Sequence, residues 1–457
     1  MAFGRRSSQL LTEVVTRLKV AAAWDWRPSF ARYGWALAAS AGTLCVSVGV
    51  NAAASRALGP AGFGQFAVGV TSLTLLGTAM GLGMPVTMVR FWTHLAPGAE
   101  AARQQSRLAA WTLVTAGAIL FGSGFLVVQG AFPRLLNSWV PAGTAAALVL
   151  AGIGAAITQM AAAEAQMSLD FRRYFGALVG SGGARLVGLV AGLVIASSGS
   201  VQGALIGVSG ASLLAGTILA WSALVRGRPY SHTTLGDLGS AARTLVGFGL
   251  PILGSTFVVA AIEYLDILVI ATTLSPHRVG LYGAAVRLSV IQTTALGALT
   301  ALALPLATRA DAAGARSTFL RKTVSVGAPV GLLATLLLGL LSPLLVRLVY
   351  GLAYAESALV FLILSVGLMP NFVGNPASQL IYAAGAPGFL LLVHVGQLLA
   401  LLVGLPAVAT RWDIVGVATY RSAVNLVAVL VIVMRVFALS RARAPSVSEA
   451  DWRVMNE

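Results

Sequence analysis

Long apolar blocks separated by short polar segments make up most of this chain. Twelve blocks are long enough for an α-helix to cross the hydrocarbon core of a membrane, which takes about 20 residues. Charged residues gather between the blocks, and no stretch alternates polar and apolar residues as a barrel strand does. The pattern therefore predicts an all-α integral membrane protein with about twelve transmembrane helices. Their approximate bounds are 33–54, 66–90, 108–132, 139–161, 176–196, 202–225, 244–265, 280–306, 324–348, 358–383, 389–409 and 414–436.

The spacing of these windows divides the chain in two. The longest connection between windows falls near the middle of the chain and separates two groups of six helices. Near the N-terminus, residues 7–20 place apolar side chains on one helical face, which favours a short helix at the membrane interface; an irregular tail is the alternative. The predicted segments are a cytoplasmic or interfacial segment at 1–32, an N-lobe at 33–225, a cytoplasmic linker at 226–243, a C-lobe at 244–436 and a cytoplasmic tail at 437–457.

Composition narrows the class of protein. Of the 457 residues, 58% are hydrophobic and 10% are charged, whereas soluble domains carry charge on about a quarter of their residues. These values exclude an ordinary soluble enzyme and a disordered chain. The apolar content also argues against nucleic acid as a partner, in spite of a net charge of +16. The single cysteine, Cys45, excludes a disulfide scaffold and a thiolate metal site.

The placement of basic residues predicts the orientation. Lys and Arg near the ends of transmembrane helices favour the cytoplasmic side. With the N-terminus inside, the cytoplasmic segments hold 22 of the 30 basic residues and the segments on the other side hold five. We therefore expect both termini in the cytoplasm and a multi-pass protein of the cell inner (cytoplasmic) membrane.

Two stretches of the chain resemble each other. LGPAGFGQF at 58–66 and LSPHRVGLY at 274–282 share Leu, Pro and Gly at one spacing and end on an aromatic residue. Each lies between the first two predicted helices of its half. Duplicated halves with the substrate route between them are typical of transporters. The alternative is a chance recurrence of Gly and Pro in a glycine-rich membrane protein.

These and two further stretches also carry a family resemblance. LGPAGFGQFAVGVTSL and GLGMPVTMVRFW lie within 58–92, and LSPHRVGLYGAAVRLSV occupies 274–290. LDFRRYFGALVGSGGARLVGLVAGLV spans 169–194, and NPASQLIYAAGAPGFLL spans 375–391. Together they resemble the Wzx-like polysaccharide-export flippases of the multidrug/oligosaccharidyl-lipid/polysaccharide (MOP) superfamily.

The resemblance implies a MATE/MOP-like fold of two six-helix lobes and a specific activity. Such flippases move polyprenyl-diphosphate-linked oligosaccharide across the inner membrane by alternating access, for the biosynthesis of surface polysaccharides such as lipopolysaccharide or exopolysaccharide. The implied partners are the lipid-linked oligosaccharide and membrane lipids, with a polysaccharide polymerase and co-polymerase beside them, and no cofactor is implied. A cation-coupled multidrug or metabolite exporter of the same superfamily is the alternative.

Five arginines are candidates for binding an anionic head group. Arg185, Arg287 and Arg421 lie well inside windows, where an ionisable residue is costly and points to function. Arg32 and Arg90 lie at the inner ends of the first two windows. Because guanidinium stays charged and offers paired donors to phosphate, these residues predict an arginine-lined central cavity between the lobes. The alternative is a side chain that reaches back to the interface or bonds a helix carbonyl.

Acidic and carboxamide residues complete the candidate site. Glu263 and Asp266 are three residues apart and share a helix face. They are either counter-ions for buried arginines or a site for a coupling ion, because a carboxylate in apolar surroundings can take up a proton near neutral pH. Amides that suit sugar hydroxyls, or hydrogen bonds between helices, are Asn51, Asn375 and Gln379, with Gln292, Asn371, Gln397 and Asn425 as further polar positions.

Several catalytic signatures do not occur in the sequence. The phosphate-binding motif Gly-x-x-x-x-Gly-Lys-Ser/Thr does not occur in the sequence, which argues against ATP hydrolysis by this chain. The four histidines are isolated in sequence and show no metal-ligand spacing. The predicted outer loops are too short to hold the active site of a membrane glycosyltransferase or ligase. We therefore expect a transporter rather than an enzyme.

Overall fold

The computed structural model describes residues 26–94, 100–131, 143–168, 170–196, 200–226, 235–312 and 315–441. Within these ranges the chain forms twelve α-helices, one short 3-10 helix and no β-strand, which confirms the all-α prediction. We call helices α1–α6 the N-lobe and α7–α12 the C-lobe. The N-lobe helices are α1 (Trp26–Met80), α2 (Met84–His94), α3 (Glu100–Ala131), α4 (Ala145–Met167), α5 (Phe171–Ile195) and α6 (Val201–Arg226). The C-lobe helices are α7 (Leu235–Ile270), α8 (Pro276–Ala312), α9 (Arg316–Val349), α10 (Ser357–Leu368), α11 (Asn371–Ala383) and α12 (Pro387–Arg441), with the 3-10 helix at Leu352–Tyr354. The predicted interfacial helix, residues 227–234 of the linker and most of the tail lie outside the described residues.

The twelve predicted windows do not map one to one onto the twelve helices. Among the described residues, ten helical stretches are long and apolar enough to cross a membrane, and two of them, of 43 and 55 residues, each hold all or part of two predicted windows. These two helices break at Gly59 (φ 65°, ψ 176°) and at Asp413 (φ 55°, ψ −158°). We call the arms α1a and α1b, before and after Gly59, and α12a and α12b, before and after Asp413. Conversely, the window at 66–90 is split between α1b and α2, and the window at 358–383 is split between α10 and α11.

Four of the turns that the sequence assigns to the outer side lie together at one end of the described part of the molecule. Arg278, just inside α8, forms salt bridges with Glu356 and with Asp413, the latter at 2.9 Å. The Arg56 guanidinium of α1a donates to the carbonyl oxygen of Leu348. Four turns that are distant in sequence therefore meet, as a serpentine path of twelve crossings requires. We call this the outer end; which end faces the cytoplasm stays a prediction of the charge distribution.

The opposite, inner end of each lobe is held by one arginine. In the N-lobe, Arg107 of α3 binds Glu164 of α4 at 2.6 Å and donates to the Ala223 carbonyl of α6, also at 2.6 Å. In the C-lobe, Arg316 at the start of α9 binds Asp311 of α8 at 2.5 Å and donates to the Leu439 carbonyl of α12b at 3.3 Å. We call these contacts the inner-end clamps. Each joins the third and sixth predicted crossings of its lobe.

The two repeated stretches pack directly against each other across the lobes. Gly64 and Gly280 occupy the same position in the two repeats. A Cβ on Gly64 would lie 2.0 Å from the Pro276 carbonyl oxygen, and one on Gly280 would lie 1.9 Å from the Pro60 carbonyl oxygen. The contact is reciprocal, as expected for halves related by a local two-fold axis. It fixes α1b against α8 near the outer end and supports duplication over chance recurrence.

An aromatic cluster lies beside this glycine contact. The Phe63 ring of α1b is 5.8 Å from the Tyr350 ring and 5.9 Å from the Tyr354 ring, between centroids. The Tyr354 hydroxyl donates to the Ser55 carbonyl of α1a at 3.2 Å. Burial raises the pKa of Tyr354 above its ordinary value, so the hydroxyl keeps the proton that it donates. The outer end of the interface between the lobes is therefore closed by packing and by directed hydrogen bonds.

Candidate functional site

A cavity of about 570 Å³ lies among helices of the C-lobe. Its volume is within the usual range of ligand-binding sites, about 300–1,000 Å³. The lining comes from α7, α8, α10, α11 and both arms of α12, so this cavity lies within the C-lobe. The arginine-lined cavity between the lobes stays a prediction. Polar residues of the lining are Glu263, Tyr264, Arg287, Ser289, Thr293, Thr300, Asn371, Asn375, Gln379, Gln397, Arg421, Ser422 and Asn425.

Arg421 is neutralised by a buried carboxylate. Its Nη1 forms a salt bridge with Asp266, whose side chain is 0% exposed, and its Nη2 donates to the Glu263 carbonyl at 3.2 Å. Asp266 also accepts from the Tyr282 hydroxyl at 2.5 Å and from the Ile267 amide at 2.8 Å. Asp266 is therefore a counter-ion rather than a solvated carboxylate near the outer surface. The pair contributes little net charge to the cavity.

Breaking this pair is expected to destabilise the protein. Asp266→Asn leaves the Arg421 guanidinium buried without its counter-ion, and removal of one partner of a buried pair costs about 3–5 kcal/mol. We expect a clearly lower unfolding temperature for the purified protein in detergent. A double variant with Leu at both positions is expected to recover most of the loss, since it buries no unpaired charge. Unfolding of Asp266→Asn at the wild-type temperature would show that the pair does not hold the fold.

Arg287 differs from Arg421 because its guanidinium is largely uncommitted. Its Nη2 donates to Thr71 Oγ1 of the N-lobe at 3.3 Å, and its guanidinium carbon lies 5.8 Å from the centre of the Tyr264 ring. Its Nε is buried and has no hydrogen-bond partner in the described part of the chain. Burial raises the pKa of Tyr350, and the positive charge of Arg287 acts in the opposite direction. Arg287 is therefore a half-buried cation that lines the cavity and touches both lobes.

Glu263 also lines the cavity. Its carboxylate forms no salt bridge within the described ranges, whereas Asp266, one turn further along α7, is fully used by Arg421. The two acids on one helix face therefore have different surroundings. No group of three or more His, Cys, Asp or Glu that could hold a metal ion occurs among the described residues.

Five carboxamides line the cavity beside the charged groups. Asn425 Nδ2 donates to the Gly367 carbonyl at 2.8 Å and to Asn371 Oδ1 at 3.1 Å, and Gln397 Nε2 donates to Asn425 Oδ1 at 3.4 Å. This network ties α10, α11, α12a and α12b together. Asn375 and Gln379 follow Asn371 at intervals of four residues, so all three lie on one face of α11.

The structure separates the candidate residues that the sequence could not distinguish. Arg287, Arg421, Glu263, Asn375 and Gln379 line one cavity, and Asp266 lies directly behind it. Arg185 and Asn51 lie elsewhere, in the N-lobe: Arg185 Nε donates to Ser212 Oγ of α6 at 3.0 Å, and Asn51 donates to the Ser47 carbonyl of its own helix at 2.8 Å. The side chains of Arg32 and Arg90 lie outside what the structure describes.

Some lining residues were missed by the sequence analysis. On α8 they are Ser289, Thr293 and Thr300, and on the neighbouring helices they are Tyr264 and Ser422. A helical projection of α8 from Arg287 would have found Thr293 and Thr300, because the cavity positions 286, 290, 293, 297 and 300 recur every three or four residues. Nothing in the sequence marks Tyr264 or Ser422.

Solved membrane transporters share this fold. The chain matches a structure titled "Lipid II flippase MurJ, inward closed conformation" with a TM-score of 0.66 at 14% identity, over 87% of this chain and 86% of that one. It matches an inward-facing multidrug resistance MATE family transporter with a TM-score of 0.65 at 16% identity, over 88% and 96%. A MOP superfamily transporter from Pyrococcus furiosus, whose title reports a binding pocket of reverse polarity, gives 0.57 at 15%, over 90% and 96%. At these identities the likeness concerns the fold, which confirms the predicted MATE/MOP-like architecture.

The sequence itself also matches a family model. No curated protein matches the chain significantly. The model described as "Polysaccharide biosynthesis protein" matches residues 54–359. These residues include both repeats and two of the charged residues that line the C-lobe cavity, Glu263 and Arg287. Because this match covers more than half of the sequence, the chain, a multi-pass membrane protein with the fold of MOP transporters, belongs to the polysaccharide biosynthesis protein family.

Proposed function

We propose that this protein is a flippase that moves polyprenyl-diphosphate-linked oligosaccharide across the inner membrane for surface polysaccharide biosynthesis. The single observation that carries the proposal is the uncommitted guanidinium of Arg287 in the C-lobe cavity. A diphosphate cannot leave water for an apolar interior without charged partners, because the loss of its hydration is too costly. Arg287 supplies a fixed positive charge with free donors at the point where the lobes touch. The MOP fold and the family membership fit this activity.

The head group enters from the inner side and leaves at the outer side by alternating access, while the prenyl tail stays in lipid. The closed contacts at the outer end, between Gly64 and Gly280 and around Tyr354, have to open for release. The protein breaks no covalent bond in this cycle. A polysaccharide polymerase and co-polymerase on the outer side would take up the product.

Translocation by the purified protein tests the proposal directly. Proteoliposomes with a fluorescent polyprenyl-diphosphate oligosaccharide in the inner leaflet are expected to expose it to an impermeant quencher faster than protein-free liposomes do. A liposome containing heat-unfolded protein is the control for leakage. Equal rates with native and unfolded protein, at equal reconstitution, would exclude flippase activity towards that lipid.

A second candidate, a cation-coupled exporter, is favoured by one observation. Glu263 places a carboxylate in the cavity without a salt bridge of its own in the described ranges. In the flippase this group is a site for a coupling proton or sodium ion; in an exporter it would bind the cationic cargo. The two functions predict opposite effects of removing its charge.

Glu263→Gln is expected to strengthen the binding of an anionic lipid. With the Arg421 charge compensated by Asp266, the remaining lining charges are Arg287 and Glu263. Loss of the negative charge leaves Arg287 unopposed, and we expect about tenfold tighter binding of polyprenyl diphosphate at neutral pH. Protonation of Glu263 removes the same negative charge as the substitution does. Binding of the anionic lipid by the wild type should therefore strengthen as the pH falls, while binding by the variant changes little. Weaker anion binding and loss of cation transport in this variant would favour the exporter.

A further inference from the structure

The C-lobe cavity has two chemically different parts, one lined by charged groups and one lined by carboxamides. The proposed flippase function depends on the charged part through Arg287. The charged groups lie towards the outer end: Glu263 is late in α7, Arg287 is early in α8 and Arg421 is early in α12b. The carboxamides follow towards the inner end, since α11 and α12b both run in that direction. Gln379 lies eight residues after Asn371 on α11, which is about 12 Å along the helix.

Three of the five carboxamides are used to hold the helices in place. Asn371, Gln397 and Asn425 are joined by hydrogen bonds, and Asn425 is anchored on the Gly367 carbonyl. The Asn375 side chain, in contrast, forms no hydrogen bond within the part of the chain that the structure describes, although its backbone oxygen accepts from Ser378 and Gln379. Gln379 uses only its Nε2, in bonds of 3.3 Å to Asn375 O and Ser378 Oγ. Asn375 and Gln379 therefore present unused donors and acceptors beside the cavity.

We infer that Asn375 and Gln379 bind the hydroxyl groups of the glycosyl residue next to the anion held by Arg287, so that the C-lobe reads the sugar part of the cargo. The inference deepens the proposed flippase function and rests on it. A carboxamide both donates and accepts and carries no charge, which suits a neutral polyol better than a diphosphate. Asn375 and Gln379 are about one helical turn apart, so they offer paired contacts along one face of α11.

The position of Arg287 gives the bound molecule a direction. Because Arg287 touches Thr71 of the N-lobe, the anion lies at the boundary between the lobes. The sugar extends from there into the C-lobe along α11, and the prenyl chain leaves on the opposite side, towards the space between the lobes and the lipid. The anion at Arg287 is either the diphosphate or the carboxylate of an acidic sugar, and both share the same contact chemistry.

Equilibrium binding in lipid nanodiscs tests the inference with three probes. They are polyprenyl diphosphate without sugar, the same carrier with a neutral disaccharide, and the same carrier with a hexuronate-containing disaccharide. We expect sugar to strengthen binding to the wild type. Asn375→Leu should lower the affinity for the sugar-bearing probes by about tenfold. Its affinity for bare polyprenyl diphosphate should stay within about twofold of the wild type. Gln379→Leu is a second variant of the same face, and Gln65→Leu, at an exposed carboxamide outside the cavity, is the matched control.

The outcomes separate the two proposals. Absence of wild-type binding to all three probes contradicts the flippase function itself. Wild-type binding that gains nothing from sugar, or that Asn375→Leu and Gln379→Leu weaken equally for all three probes or not at all, overturns the sugar assignment alone. If Arg287 holds the diphosphate, Arg287→Ala should weaken the binding of all three probes. If Arg287 holds the carboxylate of an acidic sugar, the variant should weaken the binding of the hexuronate probe selectively.

Discussion

Replacement of Arg287 by Ala is expected to weaken the binding of polyprenyl-diphosphate oligosaccharide by roughly 10- to 100-fold, the worth of one or two hydrogen bonds to a charged group. Arg287 is the cavity cation that forms no salt bridge among the described residues, and its Nε has no hydrogen-bond partner there. Lysine at this position should restore only part of the affinity, because an ammonium group lacks the paired donors of guanidinium. Binding in nanodiscs and complementation of a strain that lacks its own flippase measure the effect.

Two arginine variants serve as controls for this result. Arg411→Ala changes an exposed arginine that lies over the Trp412 ring, away from the cavity, and should bind and complement like the wild type. Arg185→Ala removes an arginine bonded to Ser212 inside the N-lobe, so any effect should track loss of stability rather than loss of head-group contacts. Full complementation by Arg287→Ala at normal expression would remove the cavity from the mechanism.

A methyl group at Gly280 is expected to force the lobes apart at the outer end. The added Cβ would lie 1.9 Å from the Pro60 carbonyl oxygen, which is backbone and cannot rotate away. Overpacking of this kind costs about 1–3 kcal/mol, which lowers the ratio of closed to open protein by roughly 5- to 150-fold. Gly64→Ala should act alike through the Pro276 carbonyl. Because both methyl groups push apart the same pair of helices, the double variant should cost less than the sum.

Cross-linking at the outer end measures this population. Arg56 donates to the Leu348 carbonyl in the closed arrangement. The variant Arg56→Cys/Leu348→Cys, in a Cys45→Ser background, should therefore be cross-linked by a short bis-maleimide. Cys45 has to be replaced because it is exposed. Gly210→Ala is the control, since a Cβ there meets nothing within 4 Å. Equal cross-linking yields in Gly280→Ala and Gly210→Ala would show that the glycine contact does not set the closure.

The helices of this fold could be predicted from sequence because each depends on a local property, a run of apolar residues of membrane-spanning length. The breaks within windows could not be predicted. At 81–83, inside the window at 66–90, the chain leaves the helix with Leu82 and Gly83 at positive φ. The window at 358–383 is broken between α10 and α11. Such conformations are selected by contacts with distant parts of the chain rather than by their own residue types.

The candidate site was predictable as a set of residues but not as an arrangement. Arg185, Arg287 and Arg421 look alike in sequence, as single arginines in apolar windows. Their difference comes from partners 27, 216 and 155 residues away, which are Ser212, Thr71 and Asp266. Which arginine keeps free donors is decided by those long-range contacts.

The inner-end clamps have a consequence for how the chain is assembled in the membrane. The C-lobe arginine finds its carboxylate five residues earlier in the chain, so that pair can form as soon as Arg316 is synthesised. The N-lobe arginine precedes Glu164 by 57 residues and waits for α4 to be made. Since synthesis proceeds from the N-terminus, Arg107 is made well before Glu164. We expect α3 and α4 to insert together as a hairpin that brings the two charges into contact.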